Sequence, residues 1–151
     1  MSTFLRSQPF DFDDLAPRDA ALLSVVRAIA IGRGECPLLR SMLAPYAEDV
    51  DAAFAHALAF VRLIGWRGTR RIRLHAPGSR GVSDDEILIL AATDPAVGPG
   101  SDWREALVAE LMGGAFDRCV AAAAFGVARA CSGDEPEGPV RAQPALGLAH
   151  A

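Results

Sequence analysis

Between Ala47 and Ile64 the residues Val50, Phe54, Ala57, Leu58, Val61 and Ile64 recur at intervals of three and four, with Gly65 placed where a helix would end. That spacing gathers apolar side chains onto one helical face, and such a face has to be covered by other elements. Helices with matching faces are available on both sides of it. Pro17 suits a first helical position, and Leu22, Val25, Val26 and Ile29 share a face until Gly32 and Gly34. Cys36-Pro37 opens a short helix carrying Leu38, Leu39, Met42 and Leu43, limited by Pro45. Ser83 with Glu86 three residues on forms a capping box before Ile87-Leu88-Ile89-Leu90, which predicts a fourth helix rather than a buried strand.

Asp102 with Glu105 repeats the capping pattern ahead of a fifth helix, in which Trp103, Leu107 and Leu111 share a face and Gly113-Gly114 makes the break. A sixth helix, from about Ala115 to Ala130, turns Phe116, Val120, Ala123 and Val127 inward, and its run Ala121 to Ala124 lets a neighbour come close. Hydrophobic residues make up 51% of the chain but aromatics only 7%, because so much of the apolar content is alanine, the best helix former. The expected fold is therefore mainly α: about six helices in a compact bundle with one short extended segment near residues 69–75. One helical domain is expected over 1–131, with an arm at 1–16 that lays its phenylalanines on the bundle. The Pro- and Gly-rich residues 132–151 read as a flexible tail dispensable for folding.

The net charge of −4 sets the whole molecule against polyanions, so nucleic-acid binding would have to be local. All fifteen basic residues are arginine, a composition that suits phosphate recognition but that codon bias explains more simply. Cys36, Cys119 and Cys131 are odd in number and widely spaced, as expected of reduced thiols in the cytoplasm. The first eleven residues hold no apolar run of signal-peptide length, which argues against export. Cys119 to Ala128, the longest uncharged apolar run, is about half a membrane span, so no membrane partner is expected.

The stretch Arg67 to Glu86 collects five arginines and a histidine before its first acid. From Thr69 to His75, Ile72 and Leu74 alternate with Arg71, Arg73 and His75, the period of an extended strand, so the basic side chains leave one side while the aliphatic ones point inward. Arg67, Arg70, Arg71, Arg73, His75 and Arg80 are accordingly the candidate partner- or ligand-binding residues. Asp11, Asp13, Asp14 and Asp84 to Glu86 supply enough carboxylate to neutralise much of this cluster internally. A lone strand needs a partner, and two are conceivable: the acidic N-terminal arm, or the same strand of a second copy across a two-fold axis, where like charges would meet.

Other chemistries fit less well. His75, Ser79 and Asp84 fall within ten positions, yet a nucleophile–base–orienter set needs convergence onto one point, and Gly78-Ser79-Arg80-Gly81 is not a nucleophile elbow. Gly78 and Gly81 lead to a helix start that could cradle an anion, but Asp84-Asp85-Glu86 occupies the positive end of that helix. His56, His75 and His150 are isolated and the cysteines lack zinc spacing, so neither a metal nor another cofactor is expected.

Cys36 to Arg40, and Arg70 to Gly78 continuing to Ser83 to Glu86, resemble the pattern of a small bacterial family of uncharacterised helical proteins, a domain of unknown function. The resemblance implies a helical fold and a capped helix with an acidic pair after the turn, and no activity. Members can carry cysteines in the turn where this chain has Ser79 and Arg80, so any role of those cysteines is absent here. The expected function is a non-enzymatic helical protein acting through protein–protein contacts or self-association. A weak nucleic-acid- or anion-binding module built on the arginine cluster is the alternative, and a hydrolase the third reading.

Overall fold

The computed structural model describes residues 10–98 and 100–133. The arm enters as a two-residue strand, β1 (Phe10–Asp11), and a 3-10 turn over Phe12–Asp14 capped by the Asp11 carboxylate. Helix α1 (Pro17–Ala30) follows, with the proline in its first position as expected. A short α2 (Leu38–Leu43) runs into a 3-10 turn at Ala44–Tyr46, and the long α3 spans Val50–Arg67. Strand β2 (Gly81–Val82), α4 (Asp84–Ala92), α5 (Asp102–Met112) and α6 (Arg118–Ala130) complete the order. The fold is mainly α, as the periodicities imply.

The core draws on all six helices. Leu22, Leu23, Val25 and Val26 of α1, Phe54 and Phe60 of α3, Ile89 of α4, Leu111 of α5 and Val120 and Val127 of α6 belong to one cluster of buried side chains. Helices α3 and α6 pack most extensively, through Ala53 and Ala57 on one side and Ala123, Ala124 and Ala128 on the other. Small side chains let the two backbones approach, and the His56 ring occupies the space where a side chain at position 126 would begin, so any larger residue than Gly126 would have to displace that ring.

Boundaries differ from the sequence reading for identifiable reasons. Asp49 caps α3 by accepting from the Ala52 N–H, and the helix passes through Gly65 to end at Gly68. Gly65 keeps helical backbone, and a side chain there would meet open space, so the glycine marks neither a turn nor a close approach. Ser101 rather than Asp102 caps α5, by accepting from the Trp103 N–H. Its buried stripe is thereby Arg104, Leu107, Val108 and Leu111, while Trp103 is 60% exposed. Asp117 caps α6 through the N–H groups of Cys119 and Val120, which leaves Phe116 outside the helix and largely exposed. Phe60 is fully buried although its neighbours Leu58 and Val61 looked like the inward residues.

The largest departure concerns Thr69–His75. Among the described residues the segment belongs to no sheet; the two-stranded ladder joins β1 to β2, with Phe10 opposite Val82 and Asp11 opposite Gly81. The arm does pair, but one turn further along the chain than expected. Phe12 adds a main-chain bond to the Arg80 carbonyl at 2.7 Å and lays its ring beneath the Arg27 guanidinium. The expectations for Phe4 and for the tail beyond Gly133 lie outside the described residues; Gly133 itself donates to the Tyr46 carbonyl.

Candidate functional site

Helix α4 organises the region. Ser83 caps it by accepting from the Glu86 N–H at 3.1 Å, as the sequence implies, and its hydroxyl also donates to the Arg73 carbonyl. The reciprocal half of the capping box is missing, because the Glu86 side chain is taken elsewhere. One carboxylate oxygen accepts from the Arg27 guanidinium at 2.6 and 2.9 Å, and the other accepts from the His75 N–H at 2.7 Å. Arg27 is 1% and Glu86 0% exposed, so this is a buried ion pair. The remaining Arg27 donors reach the carbonyls of Ser79 and Gly81, which ties the turn carrying β2 to α1.

Asp85 does the same work one residue earlier. Its carboxylate accepts from the Arg73 N–H at 2.7 Å and from Arg70 at 2.8 Å. Burial pushes the Asp85 carboxyl up, but the bonds from Arg70 and Arg73 and the charges of both arginines outweigh it and hold it below the ordinary carboxylate range. With the folded value depressed, the stabilisation is present above the ordinary aspartate value of about 3.9 and lost as pH falls through the lower folded value.

Two carboxylates of α4 thus replace the partner strand on one edge of residues 69–75. They take the N–H groups of Arg73 and His75, while Ser83 takes the Arg73 carbonyl and Thr69 donates to the Met112 carbonyl. In extended backbone, bonding groups alternate between the two edges. Those of Ile72 and Leu74 therefore face the other edge, where among the described residues they have no partner. Side chains alternate as the sequence implies: Arg71, Arg73 and His75 are exposed, and Ile72 and Leu74 pack against the core.

The six candidate residues divide into two groups. Arg67 pairs with Asp117 at 3.1 Å, Arg70 with Asp85, and Arg80 with Asp13 at 3.1 Å and Asp11 at 3.5 Å. Internal neutralisation thus accounts for three, with Asp117 a partner that the sequence reading did not name. Arg71, Arg73 and His75 form no ion pair among the described residues. The His75 ring rests against Gly81, and no hydrogen bond joins it to Ser79 or Asp84 among the described residues. No group of three His, Cys, Asp or Glu side chains is placed to hold a metal ion among those residues.

Beside the open edge lies an apolar groove of about 620 Å³. Its floor is formed by Val26, Ile29, Val61, Ile64 and Ile89, and the segment 68–74 supplies one wall. Arg62, Trp66 and Arg71 stand on the rim; the lining contains three arginines and no carboxylate. Trp66 is 78% exposed. Neither Trp66 nor Arg62 stands out in the sequence, because a lone aromatic at the end of a helix reads equally well as core. Their signal is the continuation of α3 past Gly65, which carries Trp66 out to the rim.

No protein-family model, curated protein or solved structure matches the chain. No helix among the described residues is long and apolar enough to cross a membrane.

Proposed function

We propose that this chain is a non-enzymatic binding protein that works through protein contacts made at the groove and at the exposed residues of segment 69–75. The observation that carries the reading is the exposed Trp66 standing beside an apolar groove whose charged lining is arginine alone. Tryptophan and arginine beside a desolvated apolar floor are the residue types that dominate protein-binding surfaces. The free thiols Cys36, Cys119 and Cys131 support a reducing, cytoplasmic setting as part of the same proposal, and the family resemblance belongs to it as well. Weak nucleic-acid or anion binding draws on a smaller charge than the sequence suggests, since three of the five clustered arginines already meet acids.

The experiment is a random-peptide display selection on the full chain, counter-selected on the Trp66→Ser, Arg71→Glu double variant. Both positions are exposed, so the variant should keep its fold. Peptides that bind the natural chain and lose at least about tenfold on the variant, roughly 1.4 kcal/mol, are the expected result. Recovery only of peptides that fail to distinguish the two proteins overturns the reading. So does binding of heparin or duplex RNA with the steep salt dependence of phosphate contacts.

A further inference from the structure

The open edge, the groove and the exposed arginines together specify how a partner would be held. We infer that the segment Arg70–Leu74 accepts an added β-strand, and that its ligand is an extended peptide stretch alternating aliphatic with acidic residues. This rests on the proposal that the groove face is a protein-binding surface, and names the occupant of that surface.

Three observations converge on it. The edge used by Arg73 and His75 is filled by Asp85 and Glu86, which fixes the segment in extended form without a neighbouring strand. The N–H and C=O groups of Ile72 and Leu74 are left free of partners among the described residues, the requirement for strand addition. The groove runs along that segment and has an aliphatic floor, so alternate side chains of an incoming strand would be buried there.

The other alternate set would lie on the outer side, level with Arg71, Arg73 and His75, where cross-strand pairs of opposite charge are favourable and like charges are not. Charge complementarity thus selects aspartate or glutamate at those positions. It also disfavours a second copy of this segment, whose own outward residues are the same arginines. A helical occupant would fill the groove but leave the main-chain groups of Ile72 and Leu74 unpaired.

The test uses the full chain, labelled for residue-resolved amide exchange, and three synthetic seven-residue peptides. One alternates Val and Ile with Glu and Asp, the second is the same peptide N-methylated on alternate residues at the bonding edge, and the third has the same composition with its acids in one block. Strand addition is expected to slow exchange at Ile72 and Leu74 by about tenfold or more at saturation, and N-methylation to weaken binding by at least about tenfold. The blocked peptide and the Arg71→Glu, Arg73→Glu variant are expected to bind weakly.

Binding of the alternating peptide without protection of Ile72 and Leu74, or undiminished by N-methylation, overturns strand addition and leaves the protein-contact reading standing. So does failure of the alternating peptide while display-selected peptides still require Trp66 and Arg71. A full chain that dimerises with those two amides already protected assigns the edge to a second copy and also overturns the inference. If no selected peptide depends on the face, it is the underlying reading that fails.

Discussion

Replacing Glu86 with alanine is expected to lower the unfolding free energy by about 3–5 kcal/mol, because it leaves the Arg27 charge buried without its partner. The residues are 0% and 1% exposed, so solvent cannot take over the role of the missing carboxylate without opening the core. Glu86 also accepts the His75 N–H, and Arg27 holds the Ser79 and Gly81 carbonyls. The variant should therefore loosen the segment 69–75 and the β1–β2 pairing as well as destabilise the whole chain. The combined Arg27→Met, Glu86→Leu variant is expected to recover only part of the loss: it removes both charges together, but it leaves the Ser79 and Gly81 carbonyls and the His75 N–H without their partners. Urea denaturation of the two variants checks this. A cost under about 1 kcal/mol for Glu86→Ala would place the pair in water, where ion pairs contribute that little.

Arg104 is the second point of high sensitivity. Its side chain is buried, and its guanidinium donates to four carbonyls: Ala92 at 2.9 Å, Asp94 at 3.1 Å, Val97 at 2.7 Å and Gly98 at 2.9 Å. The end of α4 and the loop after it thus depend on one planar fork. Burial presses the Arg104 value down and the Asp94 charge only partly restores it, yet the group stays cationic far above neutral pH. Arg104→Leu should cost about 1–3 kcal/mol, the penalty for orphaning a buried acceptor such as the Ala92 carbonyl. Arg104→Lys should not restore it, because an ammonium cannot span four carbonyls in a plane. Thermal or urea melts of both variants, with proteolysis at residues 93–98 as a local probe, give the comparison. Equal stability of the lysine variant and the natural chain would mean that charge, not the fork, holds the loop.

The helices were legible because their apolar stripes are long and their caps are chemically distinctive. Leu22, Val25, Val26 and Ile29 read directly as a buried face, and Ser83 as a cap. What escaped the sequence reading was the use of arginine inside the protein. Arg27 follows Leu23 by one helical turn and Arg104 precedes Leu107 and Leu111 on the same stripe, so both positions belong to inward faces. A charge there signals a buried partner, but which carboxylate or carbonyl supplies it depends on tertiary geometry. The buried stripe of α5 runs through Arg104, Leu107, Val108 and Leu111, and Trp103 lies off it, 60% exposed.

The candidate site was half legible. Alternation in Arg71 to His75 correctly separates exposed basic residues from packed aliphatic ones, and Arg80 does find acids in the N-terminal arm. The partner of the extended segment was not readable, because Asp85 and Glu86 look like ordinary first-turn helix acids. Their service as acceptors for Arg73 and His75 appears only when α4 is laid against the segment. The groove was invisible for the same reason, since its walls come from α1, α3 and residues 68–74.

A segment anchored on one edge and open on the other has a signature in the free protein. Residue-resolved native-state amide exchange should show Arg73 and His75 strongly protected and Ile72 and Leu74 exchanging close to the rate of exposed backbone. Protection of all four amides in the isolated monomer would mean that the outer edge is already occupied, and free exchange of all four that Asp85 and Glu86 do not hold the segment; either result contradicts a half-anchored strand awaiting a partner.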